Sequence, residues 1–164
     1  MREKQLHTFA PVYDENSKIL ILGTFPSVKS RENGFYYGNK NNRFWRVIAD
    51  ILNDSLPTTI QQKKSFLLRH NIALWDVASS CEIENSADST IKNVVANDVK
   101  KITEQSKIEA IFCNGKTAFK LYEKFFKDSI EVDCFCLPST SPANASFSFE
   151  KLKFQWQKIT ENVK

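Results

Sequence analysis

Ile19-Leu20-Ile21-Leu22-Gly23-Thr24-Phe25-Pro26-Ser27 decides the fold. Four consecutive branched aliphatic residues leave no polar face. The run therefore reads as a strand buried on both sides, as in a parallel sheet covered by helices. It stops at a glycine and a proline-containing turn. Gly34-Phe35-Tyr36-Tyr37-Gly38 follows, and Asn39-Lys40-Asn41-Asn42-Arg43-Phe44-Trp45 then opens an amphipathic segment. A buried strand, a tight loop, aromatic rings, amides and a helix N-terminus come in that order. That is how a parallel sheet builds a pocket for a flat, uncharged ring beside a phosphate.

Outward from this stretch, residues 18–22, 72–77, 108–113 and 132–137 are four apolar runs without strict alternation. Helical patterns separate them. Phe44, Val47, Ile48, Ile51 and Leu52 share one helical face. Residues 59–69 follow the strand-breaking Pro57, and residues 91–102 carry Val94, Val95, Val99 and Ile102 at helical spacing. Phe119, Leu121, Tyr122, Phe125 and Phe126 mark a fourth helix, and residues 149–159 a fifth. This alternation predicts an α/β fold: a three-layer α/β/α sandwich with a short, mostly parallel central sheet of about four strands. No linker or repeat divides residues 1–164, so one domain is expected. Function then belongs to the loops after the strands, residues 23–38, 78–89, 114–116 and 138–147.

The bulk numbers bound the function. A chain of 164 residues with 41% hydrophobic and 26% charged residues suits one core of ordinary size. A net charge of +4 and a pI near 8.8 are compatible with nucleic acid without demanding it. Met1-Arg2-Glu3-Lys4-Gln5 shows no secretory pattern, and no apolar run approaches the ~20 residues that span a bilayer. A cytoplasmic protein with no membrane partner is expected. In that compartment Cys81, Cys113, Cys134 and Cys136 form no disulfide; without a Cys-x-x-Cys pair they read as buried apolar thiols.

Common catalytic sets are missing. His7 lies near the start and His70 at a helix end, where a cation suits the dipole. There is no Gly-x-Ser-x-Gly elbow and no phosphate-binding Gly-x-x-x-x-Gly-Lys, and Gly115-Lys116-Thr117 reads as a helix start. No metal and no cofactor is expected. What remains is amides, hydroxyls and rings, a set suited to a neutral base held by stacking and paired donor–acceptor contacts.

Three segments resemble the motifs of the uracil-DNA glycosylase superfamily. They are Gly23-Thr24-Phe25-Pro26-Ser27, Tyr36-Tyr37-Gly38-Asn39-Lys40-Asn41-Asn42-Arg43-Phe44-Trp45 and Leu137-Pro138-Ser139-Thr140-Ser141-Pro142-Ala143-Asn144. The similarity is greatest to the hypoxanthine (deoxyinosine) branch and the mismatch-specific uracil/thymine branch. Trp75-Asp76-Val77 and Ser79-Ser80-Cys81-Glu82 also look like the hypoxanthine branch. The sequence departs from the mismatch-specific branch at Phe25, where those enzymes carry a catalytic Asn. It also has Pro138-Ser139-Thr140 where other branches have a histidine, Lys40 where Pro is common, and no iron–sulfur cysteine pattern.

The resemblance implies a monofunctional glycosylase that hydrolyses the N-glycosidic bond of a deaminated base, hypoxanthine or uracil, in base excision repair. It places catalysis on Asn42, holding the attacking water, with Asn39 as second candidate. Thr24, Phe25, Tyr37 and Asn39 would bind the base. Ser27, Ser139, Thr140, Ser141, Pro142, Ala143, Asn144 and Ala145 would contact DNA, Ala143-Asn144-Ala145 as a wedge. The implied partner is double-stranded DNA with a deaminated or mismatched base, with single-stranded DNA as a second substrate, and the protein acts as a monomer. Residue chemistry keeps alternatives open. Asn42 also suits a helix cap, Tyr36 a core position, Arg43 a loop anchor, and Asp76 either a base contact or a buried brace. Phe25 motivates a second reading, a non-catalytic base- or nucleotide-binding module on the same fold.

Overall fold

The structure is a computed structural model that describes residues 3–6, 9–26, 28–83 and 91–163. Ser27 and His7, and residues 84–89 of the loop expected at 78–89, lie outside the described residues. In chain order the elements are β1 (Glu3–Leu6), β2 (Ile19–Gly23), α1 (Val28–Asn33), α2 (Phe44–Ile51), α3 (Ile60–Arg69), β3 (Ile72–Asp76), β4 (Ala78–Ile83), β5 (Lys92–Ala96), α4 (Val99–Gln105), β6 (Ala110–Asn114), α5 (Lys116–Phe126), β7 (Asp133–Leu137) and α6 (Phe149–Trp156). A 3₁₀ turn, Gln157–Ile159, leads into α7 (Thr160–Val163).

Four strands form the central sheet in the order β3-β2-β6-β7, every pair parallel. β2, the opening run of the sequence, is fully buried along its length. Ile19 and Ile21 pack on one side with Phe44, Val47 and Ile48 of α2, Phe66 and Leu67 of α3, and Leu152 and Trp156 of α6. Leu20 and Leu22 pack on the other with Val99 and Ile102 of α4 and Ala118, Tyr122 and Phe126 of α5. Two cores on one sheet explain why the strands lack polar alternation, and they bear out the expected three-layer α/β/α sandwich.

Two local readings are corrected. Residues 91–102 were expected to be one helix, but Lys92–Ala96 is strand β5, and only Val99 onward is helical. The loop expected from Ala78 is strand β4 as far as Ile83. β4 pairs antiparallel with β1 and β5 to make a second, three-stranded sheet. Val94 and Val95 fit a helical face and a strand equally well; pairing with β4 selects the strand, for which β-branched side chains are suited. A third correction concerns the thiols. Cys81 and Cys113 are buried, but Cys136 is exposed, because β7 is the edge of the central sheet.

The chain steps from β2 to β3 on one side and returns with β6 on the other. The strand order therefore reverses between β2 and β6, and the crevice outside their C-terminal ends is where such sheets bind ligands. No helix among the described residues is long and apolar enough to cross a membrane.

Candidate active site

Gly23 ends β2 at this crevice, and its lack of a side chain is a packing requirement. A Cβ there would lie 2.4 Å from Asp76 Oδ1 and 2.9 Å from Tyr37 Oη. Asp76, at the end of β3, is 3% exposed. Burial, and after it the nearby Asp76 carboxylate, raises the pKa of Tyr36 and holds its hydroxyl protonated. Tyr36 is core: it is 2% exposed, and its hydroxyl donates to the Ala10 carbonyl at 2.9 Å.

Tyr37 is half-buried and stands at φ 53°, a left-handed conformation that costs a non-glycine residue of order 1–3 kcal/mol. Its ring stacks on Phe44 at 4.1 Å between centroids, 24° from parallel. Phe44 is itself fully buried, so it fixes the plane of Tyr37. Thr24 is 5% exposed; its carbonyl accepts from Ala78 N–H at 3.1 Å, and its Oγ1 is buried with no hydrogen-bond partner among the described residues. Phe25 is half-buried, with the Arg31 guanidinium 5.7 Å from its ring centre.

The segment before α2 folds through its own amides. Asn39 Oδ1 accepts from Asn41 N–H at 2.9 Å, and the Asn39 carbonyl accepts from Asn42 N–H at 2.9 Å, an Asx turn that brings the chain round to the helix. Asn42 Oδ1 accepts from Phe44 N–H at 2.9 Å, satisfying one free helix N–H. The same oxygen accepts from Thr140 Oγ1 at 2.8 Å. Thr140 in turn is held by Asn114 at the end of β6. Asn114 Nδ2 donates to Thr140 Oγ1, and Thr140 N–H donates to Asn114 Oδ1, each at 3.0 Å.

The last loop, residues 138–147, is pinned along its length. Trp156 Nε1 donates to the Pro138 carbonyl at 2.9 Å. Arg43 donates to the carbonyls of Ser141 at 3.0 Å, Asn144 at 3.1 Å, and Phe147. Within the loop, Ser139 Oγ accepts from Ser141 N–H and Ser141 Oγ from Ala143 N–H, both at 3.1 Å. Gly115, at φ 100°, allows this loop to close over the start of α5; a Cβ there would lie 3.2 Å from Ser139 Cβ.

The fold thus gathers Thr24, Tyr37, Asn42 and Thr140 around the switch point. Two expected DNA contacts are placed otherwise. Thr140 is fully buried with its hydroxyl committed, so it offers no side-chain grip on a phosphate. Asn144 is half-buried and turns inward, its Nδ2 donating to the Ser139 carbonyl at 3.0 Å; Pro142, Ala143 and Ala145 form the exposed tip. Asn114 was missed. Its signal was a lone amide ending the otherwise apolar run Ala110-Ile111-Phe112-Cys113, at the C-terminal end of a buried strand. No group of three or more metal-binding side chains is found among the described residues.

Rings and amides thus stand at a parallel-sheet switch point, with a pinned loop beside them, on an α/β/α sandwich. Residues 10–161 match the family described as the uracil DNA glycosylase superfamily, and the chain belongs to it. It is 37% identical over 153 residues to the hypoxanthine DNA glycosylase of Methanosarcina acetivorans, covering 92% of this chain and 95% of that one. It is 32% identical over 150 residues to the hypoxanthine DNA glycosylase of Methanosarcina barkeri, covering 90% and 93%. A solution NMR structure from Methanosarcina acetivorans, of a protein described as a candidate uracil DNA glycosylase, superposes with a TM-score of 0.78. It is 32% identical and covers 94% of this chain and 98% of its own.

Proposed function

We propose that this chain, acting as one monomeric domain over residues 1–164, is a monofunctional glycosylase that excises hypoxanthine from double-stranded DNA. That it is a DNA glycosylase, a hydrolase of N-glycosyl bonds working in base excision repair, follows from its superfamily and its two relatives. The observation that carries the choice of base is that both relatives, each covering at least 90% of the chain, are hypoxanthine DNA glycosylases. Phe25 supports it, since this side chain lacks the amide on which the mismatch-specific uracil branch relies.

In this reading the nucleotide swings out of the duplex at a cost of a few kcal/mol, least when it is mispaired. The base enters the crevice and stacks on Tyr37, which Phe44 backs from behind. Thr24 Oγ1, backbone amides near Phe25, and Asn39 meet its edge; a base supplies the partner that the buried Thr24 hydroxyl lacks among the described residues. Asn42 carries the catalytic amide. The glycosidic bond breaks with oxocarbenium character while hydrogen bonds stabilise the departing base, and water adds to the sugar. The exposed tip Pro142-Ala143 and Ala145 meets the DNA, with Ser139 and Ser141 toward its phosphates.

The test is a single-turnover cleavage assay on duplexes carrying hypoxanthine, uracil, xanthine or thymine opposite each normal base. Hypoxanthine should be cleaved at least as fast as uracil. Cleavage of uracil with none of hypoxanthine returns the chain to the uracil branch. Binding without cleavage of any base leaves a non-catalytic module.

A further inference from the structure

The direction of every hydrogen bond around Asn42 is fixed by groups that can only donate. Thr140 N–H lies 3.0 Å from the Asn114 carboxamide, so the Asn114 atom facing it is oxygen. Asn114 Nδ2 then faces Thr140 Oγ1 at 3.0 Å, and that hydroxyl must accept. Its own proton is left for the Asn42 side chain at 2.8 Å. From the other side Phe44 N–H, again only a donor, meets the same Asn42 atom at 2.9 Å, which is therefore Oδ1. A carboxamide oxygen has two lone pairs, and both are taken. Thr140 is fully buried and Asn114 8% exposed, so water competes poorly for these partners. What Asn42 has left is its Nδ2 hydrogens, which make no hydrogen bond among the described residues.

Resting on the reading of the chain as a hypoxanthine glycosylase, we propose that Asn42 acts as a hydrogen-bond donor to the departing base rather than as an acceptor that orients the water. Asn114, at the end of β6, and Thr140, in the loop after β7, are positioning residues that set this polarity. The chemistry balances without a protein base. The bond from C1′ to N9 breaks with its electron pair on the base, and negative charge spreads to the ring nitrogens and O6. An Asn42 N–H aimed at one of these acceptors strengthens as the charge grows, which is what a group acting in the transition state must do. Water bonds to C1′ and releases its proton to solvent, and the base takes up a proton from solvent.

Asn42→Asp tests this cleanly. A carboxylate keeps both bonds that Oδ1 now accepts and suits a helix N-terminus, so the variant should fold at least as well as wild type. It exchanges the donor for a negative charge beside the departing base. In single-turnover assays with hypoxanthine duplex at pH 7, Asn42→Ala should fall by ~10²-fold or more. Asn42→Asp should fall at least as far, with any remaining activity rising toward acid as the carboxyl regains a proton to donate. Thr140→Val, which removes the hydroxyl but keeps the shape, should lower the cleavage rate at saturating protein by ~10-fold or more and leave DNA affinity within about twofold. Thr140→Ser should recover most of that loss. Asn42→Asp more than ten times faster than Asn42→Ala, with activity rising toward neutral pH, overturns the proposal, since the group would then be serving the water. Equal rates for Thr140→Val and wild type overturn the positioning role. If wild type cleaves uracil instead, the same series on uracil duplex decides the donor question separately from the choice of base. If it cleaves nothing, both fall.

Discussion

Arg43→Ala should unpin the loop at residues 138–147. The guanidinium of Arg43 donates to three carbonyls of that loop, Ser141, Asn144 and Phe147. Hydrogen bonds to a charged group are worth ~1.5–3 kcal/mol each where water is excluded. Arg43 is only half-buried, and the freed carbonyls regain water, so the three together should contribute about 2–4 kcal/mol. For a chain of this size that is a fall in melting temperature of about 5–15 °C. Arg43→Lys should recover little, because an ammonium on a flexible stem cannot reach three carbonyls at once. The Thr140 end of the loop has its own anchor in Asn114. DNA affinity should therefore fall more than the cleavage rate at saturating protein. Thermal and urea melts of the three proteins, with DNA titrations alongside, check this. A melting temperature within about 1 °C of wild type for Arg43→Ala, or full recovery by Arg43→Lys, would mean that these three bonds do not hold the loop.

Gly23→Ala would put a methyl 2.4 Å from Asp76 Oδ1 and 2.9 Å from Tyr37 Oη, so one must move; a loss of ~1–3 kcal/mol is expected, with cleavage falling further than stability, and unchanged cleavage would show that Tyr37 is not held by this contact. Asp54 accepts from His70 and from Arg69, and these bonds, His70 first, hold its carboxyl down at about 2. A carboxyl depressed on folding adds stability that is present above its ordinary value and is lost as pH falls. The melting temperature should therefore drop between about pH 4 and 2, and less steeply in Asp54→Asn; parallel curves for the two proteins would remove this pair from the account. Thr59 caps α3 by accepting from Gln62 N–H at 3.0 Å, in a capping box whose other half is Gln62 Oε1. Thr59→Ala should cost ~1 kcal/mol in a urea melt with no change in cleavage, since the residue lies outside the crevice; a change in cleavage would link α3 to the site.

Features that depend on neighbours in the chain were legible before folding was considered. Ile19-Leu20-Ile21-Leu22 is apolar on both faces, which only a covered sheet satisfies, so the α/β layering followed. Asn39, Asn41 and Asn42 fold back through their own amides within four residues, so the turn into α2 was also legible. Local pattern failed where partners are remote. Val94 and Val95 suit a helix or a strand until β4 lies beside them. The resemblance implied a DNA contact at Thr140, but the tertiary fold buries its hydroxyl between Asn114 and Asn42. Those three residues come from a strand end and two separate loops, 26 and 98 positions apart in the two contacts that join them. Their bonds carry no sequence periodicity. Which end of the Asn42 amide is taken up within the protein depends on the donors that packing places against its oxygen, Phe44 N–H and the Thr140 hydroxyl, and no local pattern shows that.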